Sequence, residues 1–371
     1  MRILVLTKRQ YMNKDLLDDR FGRFREIPLS LSQMGHEVIG LCLSYSHRNE
    51  GWIKDGHVLW KSINASRFKI PGVTRFLFDA LKFAPKSDVI WACSDSLYGI
   101  IGCLVGRIAK KPVIFDIYDN FEEFYIAHLP VLKQLYHWAI RHSEAITCLS
   151  KPFAKLIQHQ YRRSEKIYPI EFAVRSDLFK PLIPEKCRES LLLPLNARII
   201  GTAGGLYKNR GVDLLIHAFL NLRDKYLDLH LALVGPLDTN LQIPEDSRIH
   251  YLGIFPFEKV PYFINSLDIA VVCYADDEYG KYCFPQKTRE FMACDVPIIA
   301  AQVGSLKELF KDQPEWLYEP GNLHSLIRVL ENRFDDRTTH YTPPPTWADL
   351  AQILESIMFE IQKENEQKMP A

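Results

Sequence analysis

Residues 284–297 read Phe-Pro-Gln-Lys-Thr-Arg-Glu-Phe-Met-Ala-Cys-Asp-Val-Pro, and several of these residue types can act together on an anion. Pro285 suits a helix start, because its missing N–H is one of the groups left unpaired there. The free N–H groups of such a start, with the helix dipole behind them, attract negative charge. Lys287 adds a full positive charge, and Thr288 stands next to it. Glu290, about one turn further on, carries a carboxylate that can accept two vicinal hydroxyls of a ribose. An ordinary surface helix with a Lys/Glu pair three residues apart would give the same pattern.

The second chemical segment is Gly201-Thr202-Ala203-Gly204-Gly205-Leu206-Tyr207-Lys208-Asn209-Arg210-Gly211. Gly204 and Gly205, following a strand, let the backbone approach a ligand closely, and Lys208 and Arg210 can bind phosphate oxygens. The segment is neither a Walker loop nor a G-x-G-x-x-G fingerprint, which disfavours nucleotide hydrolysis and nicotinamide binding. A plain βα turn would look similar.

The elements that must position these residues alternate. In the first half the expected strands are Ile3–Leu6, Glu37–Leu43, Val89–Ala92, Pro112–Phe115 and Ala145–Leu149. The helix Arg23–Met34 has Phe24, Ile27, Leu31 and Met34 at helical spacing. The pattern restarts with strands Arg198–Thr202, Leu229–Val234, Ile249–Leu252, Ile269–Tyr274 and Pro297–Ala300. Helices Gly211–Arg223, Val260–Asn265 and about Thr288–Cys294 lie between them. Buried strands separated by helices imply parallel sheets with right-handed crossovers. Proline breaks in Phe179–Asn196 place the boundary between two α/β domains near 180, giving domains 1–180 and 181–345 with a ligand cleft between them. After Pro343-Pro344-Pro345, Thr346 can cap a helix Trp347–Lys363 whose apolar stripe must dock somewhere, with a frayed tail to 371.

Bulk properties narrow the classes. At 371 residues the chain exceeds one hydrophobic core. A formal net charge of +1 does not indicate a nucleic-acid partner. Eight cysteines without short paired spacing read as reduced core thiols, with no metal site among them. The first residues turn polar too soon for a signal-peptide core, and the longest apolar stretch is too short for a span. The expectation is a cytoplasmic protein, with peripheral attachment to the inner face of a membrane left open.

In this order and spacing, the segments resemble the retaining glycosyltransferase family 4, which has the GT-B fold of two Rossmann-like domains. Gly35-His36-Glu37-Val38 and Phe179-Lys180-Pro181 also fit, and Trp347 with the last helix looks like the family's crossover back to the first domain. The resemblance implies transfer of a sugar, with retention, from a UDP- or GDP-sugar to a glycan, polyprenyl-linked or small-molecule acceptor. It implies no metal and no cofactor beyond the donor, which is a substrate. Arg210 stands at the family's diphosphate-binding lysine and Glu290 at its ribose-holding glutamate. Gly205 stands where the family has an arginine, a loss that Lys208 or Lys287 can offset. Tyr282 falls at the family's first glutamate, with Glu278 displaced nearby.

In the first domain, Tyr118 replaces the family's sugar-contacting histidine, and Asp119 beside it is the catalytic candidate there. An N-cap role for Asp119, at a helix starting near Phe121, is the structural alternative. Arg20 and Arg23, in the loop after the first strand, are weak candidates for holding an acceptor phosphate. Arg67-Phe68-Lys69-Ile70 and Arg75–Phe83 interleave basic and aromatic residues in a manner suited to a membrane interface. Arg210, Lys208, Lys287 and the helix start would neutralise the leaving diphosphate, usually the largest catalytic contribution. Two rivals share the fold: a sugar-nucleotide epimerase, and a catalytically inactive binding subunit.

Overall fold

The structure is a computed structural model describing all residues except 12–13, 66–69, 122–128 and 369–371. The chain divides into two compact units: Met1–Glu171 together with the C-terminal segment from Trp347, and Phe172–Thr346.

The first unit is built on strands β1 (Arg2–Lys8), β2 (Glu37–Ser44), β3 (Gly51–Asp55), β4 (Val58–Asn64), β5 (Val89–Ser94), β6 (Val113–Ile117), β7 (Ala145–Cys148) and β8 (Ile167–Pro169). Their order across the sheet is β8-β7-β6-β5-β1-β2-β4-β3. All neighbours are parallel except β3, which returns antiparallel along β4 as a hairpin edge. Ile3, Leu4, Val5 and Leu6 are all buried, as are all six residues of β5. Only a strand covered on both faces keeps such an unbroken apolar run out of water. Helices α1 (Arg23–Gln33), α2 (Ile70–Phe83), α3 (Ser96–Ala109), α4 (Pro130–His142) and α5 (Lys151–Tyr161) provide that cover. The hairpin was not anticipated: its edge strand Gly51–Asp55 alternates half-buried and exposed residues, ahead of the turn Gly56-His57, with Gly56 at φ 61°.

The second unit has strands β9 (Arg198–Ala203), β10 (Leu229–Val234), β11 (Ile249–Tyr251), β12 (Ile269–Val272), β13 (Ile298–Ala301) and β14 (Leu317–Tyr318), in the order β11-β10-β9-β12-β13-β14 and parallel throughout. Each sheet therefore reverses its winding once: between β1 and β5 in the first unit, and between β9 and β12 in the second. At such a switch point the loops leave in opposite directions and open a crevice at the strands' C-terminal ends. The site-bearing helices here are α6 (Pro184–Ser190), α7 (Val212–Leu222), α8 (Val260–Ser266), α9 (Glu278–Tyr282), α10 (Gln286–Ala293), α11 (Gly304–Leu309) and α12 (Leu323–Asp335).

The final helix, α13 (Trp347–Lys368), packs on α1. It runs five residues past the expected Lys363 because its last turns are tied down. Lys166 pairs with Glu364, and Tyr168 donates to Glu360 at 3.0 Å. His36 Nε2 lies 2.6 Å from Glu355. Leu350, Leu354, Ile357, Met358 and Ile361 form its buried stripe.

The expected membrane-facing segment takes a different form. Arg67, Phe68 and Lys69 lie outside the described residues. In α2, Phe76 is fully buried against Tyr98, Arg75 pairs with Glu50, and Phe83 sits edge-on to Trp52. Phe78 alone of these aromatics is well exposed, at 72%. No described helix is long and apolar enough to cross a membrane.

Leu354 is 0% exposed, so Leu354→Ala removes the three side-chain carbons beyond Cβ from a buried position and leaves a cavity under α13. The expected loss of stability is about 2–5 kcal/mol, read from the midpoint of urea unfolding; a loss below about 0.5 kcal/mol would mean that this helix is not a structural part of the unit.

Candidate functional site

The second unit's switch point gathers most of the residues that the sequence marked. β9 ends in Ala203, and Gly204 follows at φ 98°, with open space where a Cβ would point. Its neighbour across the turn is Gly235, at φ 137°, where a Cβ would stand 1.9 Å from the Gly204 carbonyl oxygen. Only glycine fits there, because the two turns touch backbone to backbone. Gly205 is constrained less severely, since a Cβ there would strike the Tyr207 ring at 2.2 Å, a side chain and not backbone. The arginine that the family resemblance places at this position could not fit without moving that tyrosine.

A short 3₁₀ turn, Lys208–Arg210, leads into α7 through Gly211 at φ 78°. Lys208 is exposed. Arg210 donates to the Tyr279 hydroxyl at 3.2 Å, and its guanidinium lies 4.8 Å from the Tyr207 ring and 4.9 Å from the Tyr279 ring. Aromatic faces attract a cation while leaving its N–H edge directed outward. Around this arginine is a cavity of about 400 Å³, lined by Tyr207, Arg210, Asp238, Tyr274, Asp277 and Tyr279 among others. The tyrosines and Asp277 were not marked in the sequence; their only signal was a cluster of aromatics just after a buried strand.

Pro285 precedes α10 as its N-cap, so the helix begins at Gln286, two residues before the expected Thr288, and the Pro285 carbonyl accepts from the Thr288 N–H at 3.0 Å. The N–H groups of Gln286 and Lys287 remain at the helix start. Lys287 Nζ reaches back to Thr202 Oγ1 at 3.4 Å, across the junction between β9 and β12, and lies 5.8 Å from the Tyr274 ring. Burial is the main cause that lowers its pKa to about 8, and the positive charge of Arg210, whose guanidinium lies 6.0 Å from the same Tyr274 ring, lowers it further. Glu290 is 7% exposed and accepts from Gln286 Nε2 at 2.9 Å. Burial raises its pKa to about 7, against the opposing influence of Gln286 and Lys287.

Not every marked residue faces this site. Thr288 is fully enclosed, its Oγ1 without a hydrogen-bond partner among the described residues, so its side chain presents nothing to a ligand. Glu278 is exposed and pairs with Lys281, so it does not stand in for the glutamate absent at Tyr282.

In the first unit, Tyr118 follows β6 and accepts a hydrogen bond from Lys8 Nζ at 2.9 Å. Asp119 accepts from the Asn120 N–H at 2.8 Å; the helix it was expected to cap, beyond Phe121, lies outside the described residues. Arg23 corrects its assignment: it is 0% exposed, donates to the Ile170 carbonyl at 2.9 Å and pairs with buried Asp116 at 3.0 Å. A guanidinium held between two strand ends is a structural strut and presents no face to an acceptor phosphate. Arg20 is exposed, with its backbone at φ 49°.

Comparison with known proteins follows this geometry. Residues 197–336, which contain the whole second-unit site, match the family model for Glycosyl transferases group 1. The teichuronic acid biosynthesis glycosyltransferase TuaH of Bacillus subtilis is 24% identical over 189 residues, 48% of this chain and 45% of that protein. The D-inositol 3-phosphate glycosyltransferase of Corynebacterium efficiens is 26% identical over 169 residues, 41% and 39% of the two chains. The chain thus spans less than half the length of these relatives. Among solved structures, sucrose-phosphate synthase from Thermosynechococcus elongatus superposes with a TM-score of 0.72 at 16% identity, covering 99% of this chain and 98% of that one. Anabaena Alr3699/HepE in complex with UDP gives 0.68 at 19%, with the same coverage. These likenesses establish the GT-B fold, two Rossmann-like units in one chain.

A carboxyl whose pKa is raised on folding favours the folded state below the ordinary carboxylate range and disfavours it once pH passes the raised value. Glu290→Gln is therefore expected to stabilise the ligand-free protein by about 1–3 kcal/mol near pH 8 and to leave it unchanged near pH 4.5. Urea unfolding at the two pH values checks this; an equal difference at both would assign the effect to packing instead of charge.

Proposed function

We propose that this protein is a glycosyltransferase that binds the diphosphate of a nucleotide-sugar donor at the second unit's switch point. The observation that carries this reading is that Arg210 and Lys287 both flank the Tyr274 ring, at 6.0 and 5.8 Å, with Lys287 at the start of α10 and the open Gly204 turn on the preceding strand end. Two phosphates have the size and charge to engage two cations and free helix N–H groups together. Glu290, one turn inward, supplies the carboxylate for the ribose hydroxyls, and ionises fully once those hydroxyls hydrogen-bond to it.

As the bond from the sugar's anomeric carbon to the diphosphate breaks, negative charge grows on the leaving oxygen. Arg210 and Lys287 are already in place to stabilise it, so little reorganisation accompanies the step. This assigns charge neutralisation to side chains and needs no metal ion. With Tyr118 and Asp119 as the polar groups following β6 in the first unit, retention of configuration as in family 4 is the stereochemical course we favour. In that course the departing phosphate takes the acceptor's proton. A glycan acceptor fits the relative named for teichuronic acid biosynthesis.

Arg210→Ala is expected to lower kcat about 100- to 1,000-fold, as loss of one preorganised donor to a developing anion does elsewhere. A thermal-shift screen with UDP-, GDP- and ADP-sugars identifies the donor for that assay, since a ligand at 100 times its Kd stabilises by about 2.7 kcal/mol. Unchanged transfer by Arg210→Ala and Glu290→Ala would remove the site assignment.

A further inference from the structure

The first unit's sheet has its own switch point, between β1 and β5, and two ionisable side chains that the sequence reading passed over meet there. Lys8 is the last residue of β1, and Asp95 is the first residue past β5; Lys8 Nζ lies 4.0 Å from Asp95 Oδ2. Tyr118 accepts from Lys8 on one side. Tyr45, just past β2, shares a 3.2 Å hydrogen bond with Tyr98, and its phenol is pushed up to about 12 by burial and then by the charge of Asp95. Four adjacent strands, β2, β1, β5 and β6, thus end in Tyr45, Lys8, Asp95 and Tyr118–Asp119.

This cluster is held rigidly. The Tyr118 ring is gripped edge-on by Tyr11, Phe24 and Phe121, with centroids 5.0, 5.4 and 5.3 Å away. Asp95 caps α3 by accepting from the Leu97 N–H at 3.1 Å. Ser94, which delivers Asp95, sits at φ 97°, a conformation that costs a non-glycine residue about 1–3 kcal/mol. Its hydroxyl is fully buried without a hydrogen-bond partner among the described residues. A strained turn, an orphan hydroxyl and a desolvated lysine at one switch point are costs that packing alone does not require.

The charge balance selects the ligand. Lys8 carries one positive charge, while Asp95 and Asp119 both act on it with negative charge. Arg23 lies beneath, neutralised by Asp116. Among the described residues, a phosphate arriving here meets at least as much negative as positive charge. A sugar ring meets carboxylate acceptors, an ammonium donor and phenols, which pair with vicinal hydroxyls without any net charge. We infer that Lys8, Asp95 and Tyr118 form a subsite for an uncharged, hydroxyl-bearing sugar ring and disfavour a phosphorylated one. The inference rests on the transferase reading for its place in a reaction, but the binding preference stands on this cluster alone.

The test uses the full chain with UDP present and saturation-transfer NMR. The probes are myo-inositol and methyl α-glucoside, with inositol 3-phosphate and glucose 6-phosphate as their phosphorylated counterparts. A neutral ring is expected to bind at least about tenfold more tightly than its phosphate. Lys8→Met and Tyr118→Phe should each weaken that binding about fivefold or more, the worth of one net hydrogen bond. Asp95→Asn combined with Asp119→Asn should narrow or reverse the preference. Tyr118→Phe removes a single oxygen, so its effect does not depend on a refolded core. Tighter binding of either phosphate, no binding of either neutral sugar, or unchanged affinity in both single variants would overturn the proposal. UDP affinity, measured in the same samples, reports separately on the donor reading: its absence would sink that assignment and leave the sugar comparison intact.

Discussion

Half-burying Lys287 and burying Glu290, with one hydroxyl and one amide as the hydrogen-bond partners they have among the described residues, is unfavourable by itself. Both side chains titrate well away from their ordinary ranges as a result, the lysine down and the glutamate up. Much of the second unit serves to keep them there. The reversal between β9 and β12 sets Thr202 opposite the start of α10, and paired glycines at 204 and 235 bring the flanking turns into backbone contact. Arg210 is steadied by the Tyr207 and Tyr279 rings and the Tyr279 hydroxyl, and among the described residues it forms no ion pair with a carboxylate. A site in this condition is relieved by an anion and a pair of hydroxyls, which a nucleoside diphosphate carries together.

The two units repeat one logic with different chemistry. In each, a lysine spans a switch point: Lys287 reaches a threonine hydroxyl, Lys8 a tyrosine hydroxyl. In the second unit a second cation joins it, and in the first unit carboxylates surround it. The same topology therefore collects cations at one switch point and carboxylates at the other, and the two proposed sites differ accordingly. Burial makes this contrast matter, because charge sums at a partly desolvated strand end are screened far less than on an open surface.

Most of this fold was legible because parallel strands covered on both faces leave continuous apolar runs, as in Ile3–Leu6 and Ile298–Ala301. The hairpin Gly51–Asn64 was missed because an exposed edge lacks that signal. Gly204, Arg210, Lys287 and Glu290 could be marked because glycine turns and a proline-started helix are local features. Lys8, Asp95 and the tyrosines at 207, 274 and 279 were not, since each acquires meaning only from a strand neighbour far away in sequence. Arg23 failed for the converse reason. Its spacing in a loop-to-helix junction suggested a ligand, whereas Asp116, 93 residues on, claims it in the core.

Proton linkage of donor binding tests the central claim most directly. If a diphosphate binds against Lys287, the lysine becomes fully protonated on binding. Near pH 8, where UDP is fully ionised and the lysine is about half neutral, calorimetry in buffers of different ionisation enthalpy should show uptake of roughly 0.3–0.5 proton per UDP. Lys287→Met should abolish that uptake. UDP binding with no proton exchange, or with the same uptake in Lys287→Met, would contradict the account.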